Sequence, residues 1–149
     1  MDAYQMKLCD IQGRLFELSA DRELDSASYI STFMKSELAE HLDSPFSHYQ
    51  WAGEEYLLEE LLDKSGKGIQ KNGELYSRDI LFWIGYLYRY WHFYTGESSR
   101  SIYRQAPVNV MKTNYMMFHT LDPQLAVDDL KEIHRQRGHS SFSLRSDSE

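Results

Sequence analysis

The sequence predicts an all-α fold: a single-domain multi-helix bundle of about six or seven helices around a central aromatic helix at roughly residues 78–95. Apolar residues recur at three- and four-residue spacing through most of the chain, which is typical of amphipathic helices. Capping residues, glycines and prolines flank these periodic segments. None of the segments shows the alternation of apolar and polar residues that is typical of a strand. We expect one helical domain over residues 1–138 and a serine-rich, disordered tail at 139–149.

The N-terminal half is predicted to contain three helices, each with its apolar residues on one face. Gly13 lies inside the first helix and indicates a close contact with another helix. Asp25 is a favourable N-cap for the second helix, and Pro45 prevents that helix from continuing. The expected ranges are 2–19, 25–42 and 47–64.

The C-terminal half is predicted to contain four helices. Ser77 is a suitable cap for the aromatic helix, and Gly96 ends it at the usual left-handed position. Pro107 opens a later helix, and Asp122-Pro123 starts the last one, which is expected to stop at Gly138. The expected ranges are 77–95, 98–105, 107–121 and 123–137.

The aromatic helix takes its character from the segment FWIGYLYRYWHFY at residues 82–94, where eight of thirteen side chains are aromatic. A helix that is apolar on every side is typical of the centre of a bundle. A partner-binding surface and the wall of a pocket are the alternatives. Buried tyrosine and tryptophan need hydrogen-bond partners, so these side chains indicate that part of the helix reaches solvent or an interface. We expect the turn at residues 89–94 to border any functional site.

Arg89 and two histidines are the candidates for chemistry. Arg89 either pairs with an internal carboxylate or is the anion-binding group of a pocket. His92 and His119 are either hydrogen-bonded boundary residues or groups that transfer protons. No motif has the spacing of a metal site, a phosphate-binding loop or an activated nucleophile, so we predict no metal and no cofactor.

Composition argues against several classes of function. The net charge of -7 disfavours binding to nucleic-acid backbones, and a helix-turn-helix near residues 98–121 would present only Lys112 as a basic group. One cysteine, Cys9, suits a reducing compartment. The N-terminus lacks the pattern of a signal peptide, and the longest apolar run is about half a membrane span. We therefore predict a cytoplasmic protein without membrane binding.

An acidic row follows one side of the third helix. Such a row is typical of a solvated helix face, and the alternative is a surface that docks a basic partner. The row consists of Glu54, Glu55, Glu59, Glu60 and Asp63.

Four segments carry a resemblance to known proteins: QWAGEEY at 50–56, YWHFYTG at 90–96, residues 102–103 and residues 115–123. On these segments the chain resembles a family of small uncharacterised helical proteins from gut Firmicutes and related bacteria. Residues 95–130 are also similar to short helical proteins that are encoded beside ADP-ribosyltransferase-like toxins and are taken to be antitoxins. The resemblance implies a bacterial protein with a toxin–antitoxin role, and it implies no catalytic residue.

The first hypothesis for function is a non-enzymatic protein-interaction module, antitoxin-like, that binds and neutralises a partner protein encoded by a neighbouring gene. Aromatic and arginine side chains would anchor that contact. The alternative is a small enzyme or ligand-binding protein with an aromatic pocket, in which Arg89 acts with His92 or His119. The predicted binding residues are Trp51, Tyr56, Arg89, Tyr90, His92, Tyr94, Tyr103 and His119.

Overall fold

The computed structural model describes residues 1–47, 49 and 52–147, with side chains of the last helix described as far as Gly138. Over these residues the chain is all-α and shows no strand apart from one isolated backbone bridge, so the predicted fold class is confirmed. None of the described helices combines the length and the apolar character needed to cross a membrane. The helices are α1 (Ala3–Asp21), α2 (Ser26–Met34), α3 (Glu37–Asp43), α4 (Glu54–Ser65), α5 (Arg78–Thr95), α6 (Ser99–Gln105), α7 (Val108–Phe118) and α8 (Pro123–Asp147).

Most of the helix ends follow the capping signals in the sequence. The side chains of Asp25, Ser77 and Ser98 each accept a hydrogen bond from a backbone N–H in the first turn of the helix that follows. Gly96 ends α5 in the left-handed conformation, at φ 81°, which glycine adopts without steric cost. The predicted bounds of α1, α5 and α6 are therefore close to the observed ones.

The expected second helix is wrong in its length, because it is divided into α2 and α3. The Ser36 hydroxyl accepts a hydrogen bond from the Ala39 amide at 3.1 Å and so caps a new helix inside the predicted one. Apolar residues continue at helical spacing on both sides of Ser36, so the sequence pattern does not show that the helix is interrupted there. With it, the described part of the chain holds eight α-helices rather than six or seven.

Two further boundaries differ from the prediction. Helix α4 begins at Glu54 rather than near residue 47, because Gly53 is extended and occupies the N-cap. Helix α8 continues past Gly138, since a glycine in open space lowers helix propensity without ending a helix. The single-domain boundary at residue 138 and the disorder of residues 139–149 stay predictions.

Helices α1 and α5 approach closely through two glycines. A Cβ atom added at Gly13 would lie 2.7 Å from the Phe82 ring, and one added at Gly85 would lie 2.6 Å from the backbone carbonyl oxygen of Gln12. The close helix contact expected at Gly13 is thus confirmed. The short distance also lets the Gln12 side-chain amide donate to the Gly85 carbonyl at 2.9 Å.

Helix α5 lies at the centre of the core, with α1, α6, α7 and α8 packed around it. Its buried apolar side chains are Leu81, Ile84, Leu87, Tyr88 and Trp91. One side of the helix is only half-buried, and at its C-terminal end Tyr94 is 38% exposed. Of the placements that the sequence leaves open for α5, burial on every side does not hold here. We call it the aromatic stripe; it consists of Phe82, Tyr86, Tyr90 and Tyr94.

Replacement of Gly85 by alanine tests the close contact between α1 and α5. The added methyl group meets backbone that cannot move without separating the helices, so Gly85→Ala should lower the free energy of unfolding by about 1–3 kcal/mol in urea titrations. Gly138→Ala is the matched control, because its Cβ meets open space; it should leave stability unchanged or raise it by up to about 1 kcal/mol. A Gly85→Ala protein as stable as the wild type would contradict this packing.

Candidate functional site

An open groove of about 560 Å³ lies between α1, α5 and the end of α7. Its floor and one wall are aromatic, while carboxylates stand at its rim. We call it the aromatic groove. It is lined by Glu17, Asp79, Phe82, Trp83, Tyr86, Tyr115 and His119.

The floor of the groove follows from the spacing of aromatic residues on α5. Side chains four residues apart lie above one another on a helix, so the aromatic stripe forms a row, of which Phe82 and Tyr86 line the groove. The rings of Phe82 and Tyr86 stack with centroids 5.9 Å apart, and those of Tyr90 and Tyr94 lie 6.1 Å apart. Gly13 of α1 leaves room for the first ring, because any side chain there would occupy its place.

The wall of the groove is built by α7 and the residue that caps it. Tyr115 meets Trp83 edge to face at 5.6 Å and stacks on the His119 ring at 4.3 Å. The Nδ1 atom of His119 donates to the Tyr115 carbonyl at 2.7 Å, because a carbonyl can only accept. His119 is exposed and held in a fixed orientation beside the aromatic floor.

The polar groups of the groove are two carboxylates, tyrosine hydroxyls and the His119 ring. Glu17 pairs with Arg78 at 3.3 Å, whereas Asp79 makes no ion pair with any described residue. Burial raises the pKa of Tyr86, and the hydrogen bond that the Tyr94 hydroxyl donates to Asp128 at 2.9 Å raises the pKa of Tyr94. Both hydroxyls therefore stay protonated at neutral pH, and the groove has an acidic rim without an acid–base pair at its floor.

Arg89 does not line the aromatic groove and instead joins four helices. Its guanidinium group, only 2% exposed, donates from Nη1 to Asp43 at 2.7 Å, from Nε to Gln12 at 2.8 Å and from Nη2 to Ser99 at 3.2 Å. The same Asp43 carboxylate accepts from the Ser99 amide at 2.9 Å and from its hydroxyl at 2.7 Å. The sequence allows two roles for Arg89, and the structure shows the first of them: its guanidinium group pairs with an internal carboxylate.

His92 lies beside this network rather than in the groove. Its Nδ1 atom donates to the Glu97 carbonyl at 2.7 Å and lies 3.7 Å from Asp43. Arg89 and His92 both lie near Asp43. His119 follows the last residue of α7 and lines the aromatic groove instead. The structure therefore does not bring the arginine and both histidines into one site.

Glu97 links the C-terminal end of α5 to α6 and α8. It accepts from Trp91 Nε1 at 3.0 Å, from Lys131 at 2.6 Å and from the Gln105 side chain. Burial alone would raise the pKa of Glu97, but the hydrogen bonds from Lys131, Trp91 and Gln105 outweigh it and lower the pKa to about 2. Most polar atoms at the end of the aromatic helix are therefore used in holding helices together.

The predicted binding residues do not form one surface. Tyr90 and Tyr94 belong to the aromatic stripe, and Tyr56 is 51% exposed on α4. Tyr103 lines a separate cleft with basic residues, and Trp51 lies outside the described residues. The acidic row is partly neutralised, since Glu59 pairs with Arg22 at 2.8 Å and Glu60 with Lys64 at 3.8 Å.

Several residues of the groove were missed from the sequence. The sequence does not single out Phe82, Trp83, Tyr86 or Tyr115 as binding residues, because periodicity shows which residues share a helix face but not which face a neighbouring helix covers. A signal was present in the repeat of an aromatic residue at every fourth position of the stripe. Only the placement of α1 and α7 shows that this face remains open.

No protein-family model, curated protein or solved structure matches this chain. The resemblance to small helical proteins of gut Firmicutes therefore stays a prediction, and the candidate site rests on the geometry above.

The Arg89–Asp43 pair predicts a large effect of Asp43→Asn on stability. The substitution removes the negative charge opposite a buried guanidinium group, which typically costs about 3–5 kcal/mol of unfolding free energy. Urea denaturation measures the loss. Asp10→Asn is the control, because the Asp10–Arg14 pair is exposed and contributes under about 1 kcal/mol. If Asp43→Asn loses no more unfolding free energy than Asp10→Asn, the stabilising role of the Arg89–Asp43 pair is contradicted.

The Glu97 contacts predict a dependence of stability on pH. The pKa of about 2 in the folded protein lies below the usual 4.5, so the stabilisation is complete above pH 4.5 and is lost as pH falls from 4.5 towards 2. Glu97→Gln should therefore be less stable than the wild type at pH 6, and the difference should shrink at pH 3. A stability difference that is the same at pH 6 and pH 3 would disprove the contribution of the Glu97 carboxylate. Glu55→Gln, at an exposed position, is the control.

Proposed function

We propose that the protein is a non-enzymatic interaction module of the cytoplasm that binds a basic amphipathic helix of a partner protein in the aromatic groove. The observation that carries this proposal is a half-exposed row of aromatic rings on the central helix, flanked by carboxylates. Helix-in-groove binding requires such an apolar floor between two helices.

The aromatic rings supply the surface that would anchor a partner. Tyrosine and tryptophan bury a large area at little conformational cost and are enriched in binding hot spots. Helix α7, which forms one wall, also exposes Met116 by 75% and Met117 by 65%. Methionine is adaptable and suits a surface that must fit a partner.

The charges favour a basic partner over a second copy of this chain. The protein carries a net charge of -7, which opposes association between copies along acidic surfaces. Asp79 has no cationic partner among the described residues, and Tyr94 donates to another carboxylate, Asp128, at the far end of the stripe. A lysine or arginine of the partner would meet these carboxylates and the faces of the rings together.

The saturation of Arg89 supports a binding role over catalysis. An anion-binding arginine needs donors free for its ligand, whereas this guanidinium group is buried and bonded to three side chains. It holds α1 and α5, which border the groove, together with α3 and α6. We further propose an antitoxin-like role. In this role the partner is a toxin encoded by a neighbouring gene, and binding neutralises it.

A designed peptide tests the groove directly. The probe is a synthetic amphipathic helix with leucines on one face and lysines and arginines on the other, titrated by calorimetry at low and physiological salt. We expect saturable binding that weakens with salt, and at least tenfold weaker binding, about 1.4 kcal/mol, for Tyr86→Ala and for Glu17→Gln combined with Asp79→Asn. Each of these changes removes a ring or the charges of the groove.

The matched control is Glu55→Gln combined with Asp63→Asn, which removes the same charge from exposed positions of α4. It should bind the peptide within about twofold of the wild type, since long-range attraction is screened. Equal weakening in this control, or no saturation at millimolar peptide, would overturn the proposal. Coexpression with the neighbouring gene product tests the antitoxin-like role, and separate elution of the two proteins at micromolar concentration would exclude it.

A further inference from the structure

A second concave surface lies where the C-terminal end of α2 meets α6. It is an open cleft of about 420 Å³, and we call it the basic cleft. It is lined by Lys35, Arg100, Tyr103 and Arg104. Three of these four side chains are cationic and none is acidic, in a protein with a net charge of -7.

The cations of the basic cleft have no acidic partner among the described residues, unlike three arginines and lysines elsewhere that are part of the packing. Arg78, Arg89 and Lys131 each pair with a carboxylate. No described carboxylate lies within 4.0 Å of the charged groups of Lys35, Arg100 or Arg104. Because Arg100 and Arg104 are also one helical turn apart, they repel each other on α6. This repulsion would be relieved by an anion between them.

Two contacts hold the basic groups in place. Arg100 donates from Nη2 to the Lys35 backbone carbonyl at 2.9 Å, which positions its guanidinium group and leaves its other N–H groups without a described partner. The Lys35 ammonium lies over the Tyr103 ring at 5.4 Å from the centroid. That ring is only 8% exposed and packs edge to face on Tyr88 at 6.2 Å, so the floor of the cleft is part of the core.

We propose that the basic cleft binds a dianionic phosphate group, either as inorganic phosphate or as a phosphomonoester. The guanidinium fork of Arg100 matches two phosphate oxygens, and Lys35 and Arg104 add charge without demanding a fixed geometry. A single compact anion suits three cations around one ring better than a polymer does, since an extended nucleic acid would need a longer basic track than this acidic protein offers. The site is independent of the aromatic groove.

Titration with inorganic phosphate and with phenyl phosphate tests the assignment, with amide shifts in two-dimensional NMR spectra as the measurement. We expect saturable shifts centred on Lys35, Arg100 and Arg104 for both ligands, and much smaller shifts with chloride at equal ionic strength. Lys35→Gln combined with Arg104→Gln should weaken binding at least tenfold. Arg100→Lys, which keeps the charge and loses the fork, should weaken it by a smaller factor.

Lys67→Gln combined with Lys71→Gln is the matched control, because it removes the same charge from exposed positions outside the cleft. It should leave phosphate binding within about twofold of the wild type. Amide spectra of the variants without ligand verify that they are folded. The proposal is overturned if phosphate gives no saturable shift, or if the control weakens binding as much as the cleft variant. It is also overturned if a short oligonucleotide binds at these residues more tightly than phenyl phosphate, which would make the cleft a nucleic-acid contact.

Discussion

The ion pair between Arg89 and Asp43 is the interaction on which the arrangement of this bundle depends. A guanidinium group and a carboxylate are costly to remove from water, and burial is tolerated only where nearly every donor and acceptor is satisfied. Here Gln12 and Ser99 also accept hydrogen bonds from Arg89, so α1, α3, α5 and α6 meet at one place. A displacement of α3 would leave the buried Arg89 charge without its carboxylate, and a displacement of α1 or α6 would remove one of its hydrogen bonds.

This pair also determines which surfaces of the protein are available for binding. Because Arg89 and His92 are turned towards Asp43, the polar groups of the central helix serve its packing. Phe82, Trp83 and Tyr86 are left open between α1 and α7, and the carboxylates of Glu17 and Asp79 lie beside them. The separate basic cleft lies where the end of α2 meets α6, so the described residues offer two distinct concave surfaces.

Much of the fold follows from local rules. Asp25, Ser77 and Gly96 mark helix ends because capping depends on a few neighbouring residues. The break at Ser36 escaped prediction because a serine within a periodic segment is compatible with a helix interior as well as with a cap. The candidate site was harder to predict. Its wall comes from Tyr115 and His119, about thirty residues along the chain from the floor, and no local pattern joins them.

The sequence by itself determined that the chain is all-α, that an aromatic helix lies at its centre, and that Gly13 needs a close neighbour. These properties depend on periodicity, capping and side-chain size, which are readable along the chain. Only the tertiary structure decided that Arg89 is paired inside the core, that the aromatic stripe is half-open, and that three unpaired cations share a cleft. Burial and charge pairing are properties of residues distant in sequence, so they exist only once the helices are packed.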